Sequence, residues 1–271
     1  MDRGTTAPAG RGAPLRADCV ADSAGGLTFD VTAGGASGTA HLVLRRRWGG
    51  QEEVGLPLAP VADGRLRAAL PSTVALPEGR WDAYARVADD EPLRLAPGAT
   101  DLSALAARTP SGSRGHVAVR IPYETRQGNL TVRSWLRAPH AEADEPRLTD
   151  TELTVHGRVY GTCLAPAAYA EARSRHSPGP ARRLELVVEQ AEFGFTVAYA
   201  ALEPGLWDLW LRPHGGTGPR VRIARLLDDV ADKKPVFTYP RARVETAYGP
   251  VEAGPYYTRD NDLSVSVTAA S

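Results

Sequence analysis

The side chains that could do chemistry in this chain are arginines, carboxylates and aromatics rather than nucleophiles or metal ligands. The six histidines, His41, His116, His140, His156, His176 and His214, stand singly. No CxxC or HExxH spacing accompanies them, so three or four converging zinc ligands are not in prospect. The phosphate-cradling GxxxxGK[ST] and GxGxxG patterns are absent. A GxSxG nucleophile elbow is absent too, Ser113 in Ser111-Gly112-Ser113-Arg114-Gly115 coming closest. No cofactor and no metal are therefore expected, and no catalytic residue is assigned. Two runs stand out instead. Trp81-Asp82-Ala83-Tyr84-Ala85-Arg86 and Trp207-Asp208-Leu209-Trp210-Leu211-Arg212 each put an acid, an aromatic and a base on alternate positions. On a strand, Asp82, Tyr84 and Arg86, and likewise Asp208, Trp210 and Arg212, share one face. Such a face is either a platform on which a sugar ring stacks, a cross-strand stripe that stabilises the sheet, or a contact between domains. Arg126 and Arg259 each follow a threonine at a turn, where a guanidinium either binds phosphate or carboxylate bidentately or is simply solvated. Arg45-Arg46-Arg47-Trp48 is the densest basic run and reads as a strand end able to touch an anionic partner.

The elements that carry these residues come in pairs. Leu76-Pro77-Glu78-Gly79-Arg80-Trp81-Asp82 matches Leu202-Glu203-Pro204-Gly205-Leu206-Trp207-Asp208 at an offset of 126, as Leu27-Thr28-Phe29 matches Leu153-Thr154-Val155. Tyr123-Glu124-Thr125-Arg126-Gln127-Gly128-Asn129-Leu130-Thr131-Val132 matches Tyr256-Tyr257-Thr258-Arg259-Asp260-Asn261-Asp262-Leu263-Ser264-Val265 at 133, so the second copy carries a short insertion. Three matches in one order indicate an internal duplication. Each copy alternates apolar and polar residues, at Leu27, Phe29 and Val31, at Leu66, Ala68 and Leu70, at Leu184, Leu186 and Val188, and at Phe195, Val197 and Tyr199. That period of two means strands with one buried and one wet face. The 27 glycines and 22 prolines break these runs at short intervals, as in a sandwich. Gln127-Gly128 and Asp260-Asn261 suit a tight hairpin with central residues at positive φ. Trp81 and Trp207 open strands and either fill the core between sheets or stack on a ligand.

The expected fold is all-β: two tandem immunoglobulin-like antiparallel β-sandwich domains. Repeat 1 spans 21–137 and repeat 2 spans 147–271, with a linker at 138–146 and a disordered segment at 1–20. Ala165 to Arg175, rich in Ala, Glu and Arg, is expected to form a short helix. Cys19 and Cys163 occupy non-equivalent places and read as free thiols. Lys plus Arg and Asp plus Glu both total 32, so the basic excess of a nucleic-acid binder is missing. No secretory signal and no run of about 20 apolar residues is seen, which predicts no transmembrane segment and a cytoplasmic protein that a partner could hold at the inner membrane face.

The pairing of Pro-Gly-x-Trp-Asp with a later Tyr-x-Thr-Arg-x-Gly-Asn-Leu-Thr-Val resembles the β-sandwich modules of actinobacterial glycosyltransferases and CDP-glycerol glycerophosphotransferases of the teichoic-acid type. The resemblance covers about Ala21 to Arg137 and Arg147 to Ser271, and its motifs are structural. It implies a non-catalytic accessory protein of cell-wall polymer biosynthesis, one that scaffolds such a transferase or binds its glycan or polyol-phosphate product. The catalytic parts of that family have no counterpart here. Two alternatives stay open: a transferase acting on a sugar or polyol phosphate, with Asp82, Asp208, Arg126 and Arg259 as candidates in an inter-domain cleft, and a purely structural or oligomerising protein. As a binder, two similar domains offer two weak sites whose linkage raises avidity.

Overall fold

A computed structural model describes residues 15–270 except 33–38, 49–50, 89, 111–114, 177–178, 180 and 248. Most of the segment expected to be disordered, and Ser113, lie outside the described residues; Arg16–Ala21, however, is a strand. The chain is nearly all β and divides into two compact units, Met1–Leu105 with Arg120–Ser134 and Ala106–Val119 with Trp135–Ser271.

The first sheet contains β1 (Arg16–Ala21), β2 (Leu27–Thr32), β3 (Ala40–Arg46), β4 (Glu53–Pro60), β5 (Arg65–Leu70), β6 (Gly79–Val87), β7 (Leu93–Arg94), β8 (Ala96–Asp101), β9 (Val117–Glu124) and β10 (Leu130–Arg137). Its order is β8-β1-β2-β5-β4-β3-β6-β10-β9, with β7 on β6. The second contains β11 (His140–Ala143), β12 (Arg147–Leu148), β13 (Glu152–Tyr160), β14 (Tyr169–Ser174), β15 (Arg182–Leu184), β16 (Val187–Glu189), β17 (Glu192–Ala198), β18 (Gly205–Arg212), β19 (Val221–Ala224), β20 (Ala242–Thr246), β21 (Gly249–Tyr257) and β22 (Leu263–Ala269). Its order is β16-β17-β13-β11-β19-β18-β22-β21-β20, with β12 on β13, β14 on β18 and β15 on β14. In each sheet one strand joins two ladders. β4 pairs β3 up to Leu58 and β5 from Ala59, while β19 pairs β18 on one side and β11 on the other. The antiparallel expectation is amended by one parallel pair in each sheet, β1 with β8 and β11 with β19.

The alternation expected from sequence sets the core. Trp81, Ala83 and Ala85 of β6 are buried, and so are Trp207, Leu209 and Leu211 of β18. The two tryptophans are core residues with satisfied indoles, each N–H donating to a carbonyl four residues upstream, Pro77 O at 3.0 Å and Glu203 O at 2.8 Å.

Three local expectations give way to longer-range pairing. Within 165–175 no helix forms, because Tyr169–Ser174 is β14, hydrogen-bonded to β18 and β15. The segment 138–146, expected as a linker, carries the buried strand β11 between β13 and β19. Gly157 lets it approach: a Cβ there would lie 2.1 Å from Glu142 O. The run from Leu184 to Val188 splits into β15 and β16, and Val187 and Val188 are exposed. Among the described residues no helix is long and apolar enough to cross a membrane. Both cysteines are free thiols, Cys19 buried and Cys163 exposed.

Candidate functional site

β6 and β18 bury one face in the core and turn the other outward, and on that outer face lie Asp82 and Tyr84, Asp208 and Trp210. The Asp82 carboxylate accepts from Arg47 Nη2 at 2.5 Å and Nε at 3.2 Å, and from Thr131 Oγ1 at 2.8 Å. Arg94 Nη2 lies 2.9 Å from it. Asp208 is held the same way: by Arg175 Nη2 at 2.5 Å and Nε at 3.4 Å, Ser264 Oγ at 3.0 Å and Arg222 Nη1 at 3.2 Å. Burial pushes the Asp208 carboxyl up, but the Arg175 hydrogen bond and the neighbouring guanidinium charges outweigh it and hold the group below the ordinary carboxylate value. A carboxylate held ionised, hydrogen-bonded by one guanidinium and a hydroxyl with a second guanidinium charge beside it, is a poor general acid or base.

The aromatics of this face are engaged too. Arg45 and Arg94 stack on Tyr84 with Cζ 5.0 and 4.9 Å from the ring centroid, and Arg220 and Arg222 lie 4.7 and 4.8 Å from Trp210. Much of the stripe is thus internal cross-strand bonding, worth roughly 0.5–1 kcal/mol for each exposed stacked guanidinium. Arg86 and Arg212 lead away from it. Arg86 pairs with Glu53 at 3.4 Å, whereas Arg212 bonds the buried Glu171 at 3.3 Å and Gly218 O at 2.9 Å. The basic run expected to meet an anionic partner is also neutralised, Arg45 by Glu53, Arg46 by Glu52 and Arg47 by Asp82.

The two hairpins have one geometry. Thr125 N donates to Asn129 O and Thr258 N to Asp262 O, each at 2.9 Å, and the threonine hydroxyl accepts from the closing amide in both. Of the two central residues expected at positive φ, only the second adopts it, Gly128 at 75° and Asn261 at 59°. Arg126 and Arg259 begin these loops and are exposed.

Of the sequence candidates, Asp208, Trp210 and Arg259 come together. They line a recess on the second unit with Arg175, Arg222, Lys234, Tyr256, Thr258, Asp260 and Asp262. Asp82 and Tyr84 line a separate recess on the first unit with Arg45, Arg46, Gln51, Glu52 and Glu53. Arg86, Arg126 and Arg212 line neither. Arg94, Arg175 and Arg222 are site neighbours that sequence reasoning missed, and Arg47 was seen only as part of the basic run. Their signal was available, since Arg47 and Arg175, like Arg94 and Arg222, are separated by 128 residues, close to the repeat offset.

No protein-family model matches the chain, and no curated protein matches it in sequence. Among solved structures it is similar to S. aureus TarS, at 12% identity and a TM-score of 0.33 over 67% of this chain and 34% of that one. For TarS 217–571 the figures are 13% and 0.32, over 68% of this chain and 55% of that fragment. A pullulanase from Anoxybacillus sp. LM18-11, solved with maltotriose, gives 11% and 0.27 over 72% of this chain and 24% of its own. The chain thus spans about a third of TarS and just over half of its fragment.

Proposed function

We propose that the chain is a non-catalytic binding protein for a phosphate-bearing glycan or polyol polymer, accessory to a glycosyl- or glycerophosphotransferase that makes it. We read its two units as duplicated immunoglobulin-like sandwiches. The repeated Arg–Asp–Arg clamp, with its hydroxyl and aromatic, supports the duplication, because four contacts recur on, or directly after, correspondingly placed strands. The observation that carries the binding role is the second-unit recess. There Arg259 and Lys234 are exposed beside Trp210 and Tyr256, while Asp208 is already neutralised by Arg175 and Arg222. Cations supply charge-assisted hydrogen bonds to phosphate, and aromatic edges suit the carbons of a sugar or polyol.

Calorimetry of the full chain with a poly(glycerol phosphate) oligomer tests this. Binding is expected, weakening as salt rises, because exposed charges are screened beyond about 8 Å at physiological ionic strength. A neutral glycan of equal length should not compete. Failure to bind the oligomer, together with turnover of a nucleotide-activated donor, would overturn the reading in favour of a transferase.

A further inference from the structure

We infer that Lys234 and Arg259 form a phosphate subsite on the second unit, without a counterpart among the described residues of the first, and that Asn261 is its positioning residue. The biological ligand rests on the polymer-binding reading above; the subsite itself rests on geometry.

The two hairpin loops need a residue at positive φ, and Gly128 shows that glycine satisfies the backbone. Asn261 does more. Its side chain is fully buried, accepts from Lys233 N at 3.1 Å, and donates to Val230 O at 3.3 Å and Ala231 O at 3.5 Å. These bonds fasten the segment after β19 to the hairpin tip. The start of that segment is fixed by Glu142, whose carboxylate accepts from Leu226 N and Leu227 N at 2.9–3.0 Å. Lys233 is buried, its Nζ 2.5 Å from Asp228 Oδ1 and 3.1 Å from Val230 O. With Lys233 turned inward, its neighbour Lys234 is exposed and lines the recess with Arg259.

Charge separates the two recesses. The second is lined by four basic and three acidic residues, and two of those acids have arginine partners: Asp208 with Arg175 and Arg222, Asp262 with Arg137 and Arg222. The first has only two basic residues, Arg45 and Arg46, against Glu52, Glu53 and Asp82. Both arginines are spent on those glutamates. The fitting ligand is a phosphate monoester or diester on a polyol or sugar. A net surplus of one cation makes each contact weak, so the affinity of a long chain must come from repetition.

The test is an amide and indole NMR titration of the full chain with glycerol 3-phosphate, with glycerol as control. Saturable shifts are expected at Lys234, Arg259 and the Trp210 indole, and none with glycerol. K234A/R259A, both exposed positions, should weaken binding by about tenfold or more, R126A should leave it unchanged, and N261G should cost about fivefold while the amide spectrum of the core is retained. The subsite is overturned by an absence of shifts, by shifts centred on Tyr84 and Arg45, or by wild-type affinity in both N261G and K234A/R259A. If those variants still bind the polymer normally in calorimetry, the subsite falls and the polymer reading stands. If the small phosphate shifts the recess but no polymer binds, the subsite stands and the polymer reading falls.

Discussion

Asp208→Asn tests whether the Arg–Asp–Arg clamp organises the second unit. The side chain is 20% exposed and gathers four contacts, from Arg175 at 2.5 and 3.4 Å, Arg222 at 3.2 Å and Ser264 at 3.0 Å. Asparagine keeps the shape but removes the charge, and its amide sets a donor against a guanidinium donor. Losing the acceptor of a fully buried pair costs about 3–5 kcal/mol, an exposed pair about 0–1 kcal/mol. A mostly covered carboxylate falls between, at roughly 2–3 kcal/mol. For a unit of this size each kcal/mol moves the midpoint by about 2–4 °C, so a fall of about 4–12 °C is expected by calorimetry. Urea unfolding should give a matching loss without a changed slope. Arg175→Met should add little to D208N, because both remove one interaction. A D208N loss below about 0.5 kcal/mol would refute the clamp and reduce the cluster to a surface ion pair.

Acid should unfold the protein through this group and two others. Asp18 is held below its ordinary value first by the Arg65 hydrogen bond, Asp30 first by that of Arg67, and Asp208 as described. The unfolded chain takes up protons before these groups do, so their stabilisation is present above about pH 4–5 and is lost as pH falls through their depressed values. D208N should flatten that acid limb, and an unchanged limb would contradict it. A thiol reagent should modify Cys163 quickly and Cys19 only after unfolding, because Cys19 is 1% exposed and burial raises its thiol to about 12; two fast equivalents would contradict the fold around β1. Trp81→Phe and Trp207→Phe each remove an indole hydrogen bond and leave a void, for an expected loss of roughly 2–3 kcal/mol in urea. A loss below about 1 kcal/mol at either would show that this tryptophan does not fill the core.

The sequence by itself determined the features that depend on neighbours along the chain. Strand alternation around Trp81 and Trp207 reads directly as a buried face, because side-chain direction has a period of two. The hairpins at Arg126 and Arg259 were legible because positive φ limits residue choice locally, although the residue pairs Gln127-Gly128 and Asp260-Asn261 suggested two residues in that conformation where only the second adopts it. Only the tertiary structure decided the rest. Ala165 to Arg175 has helical composition but yields to a ladder with β18, some forty residues away. His140–Ala143 looked like a polar linker because Glu142 is charged, yet its carboxylate is met by the amides of Leu226 and Leu227. Arg45, Arg46 and Arg47 looked like free positive charge, and each found a carboxylate on another element. The candidate site followed suit: Asp208, Trp210 and Arg259 were in view, but Arg175, Arg222 and Lys234 come from separate segments. Whether a charged side chain is spent on an internal partner or left for a ligand depends on contacts distant in sequence, and folding alone brings those together.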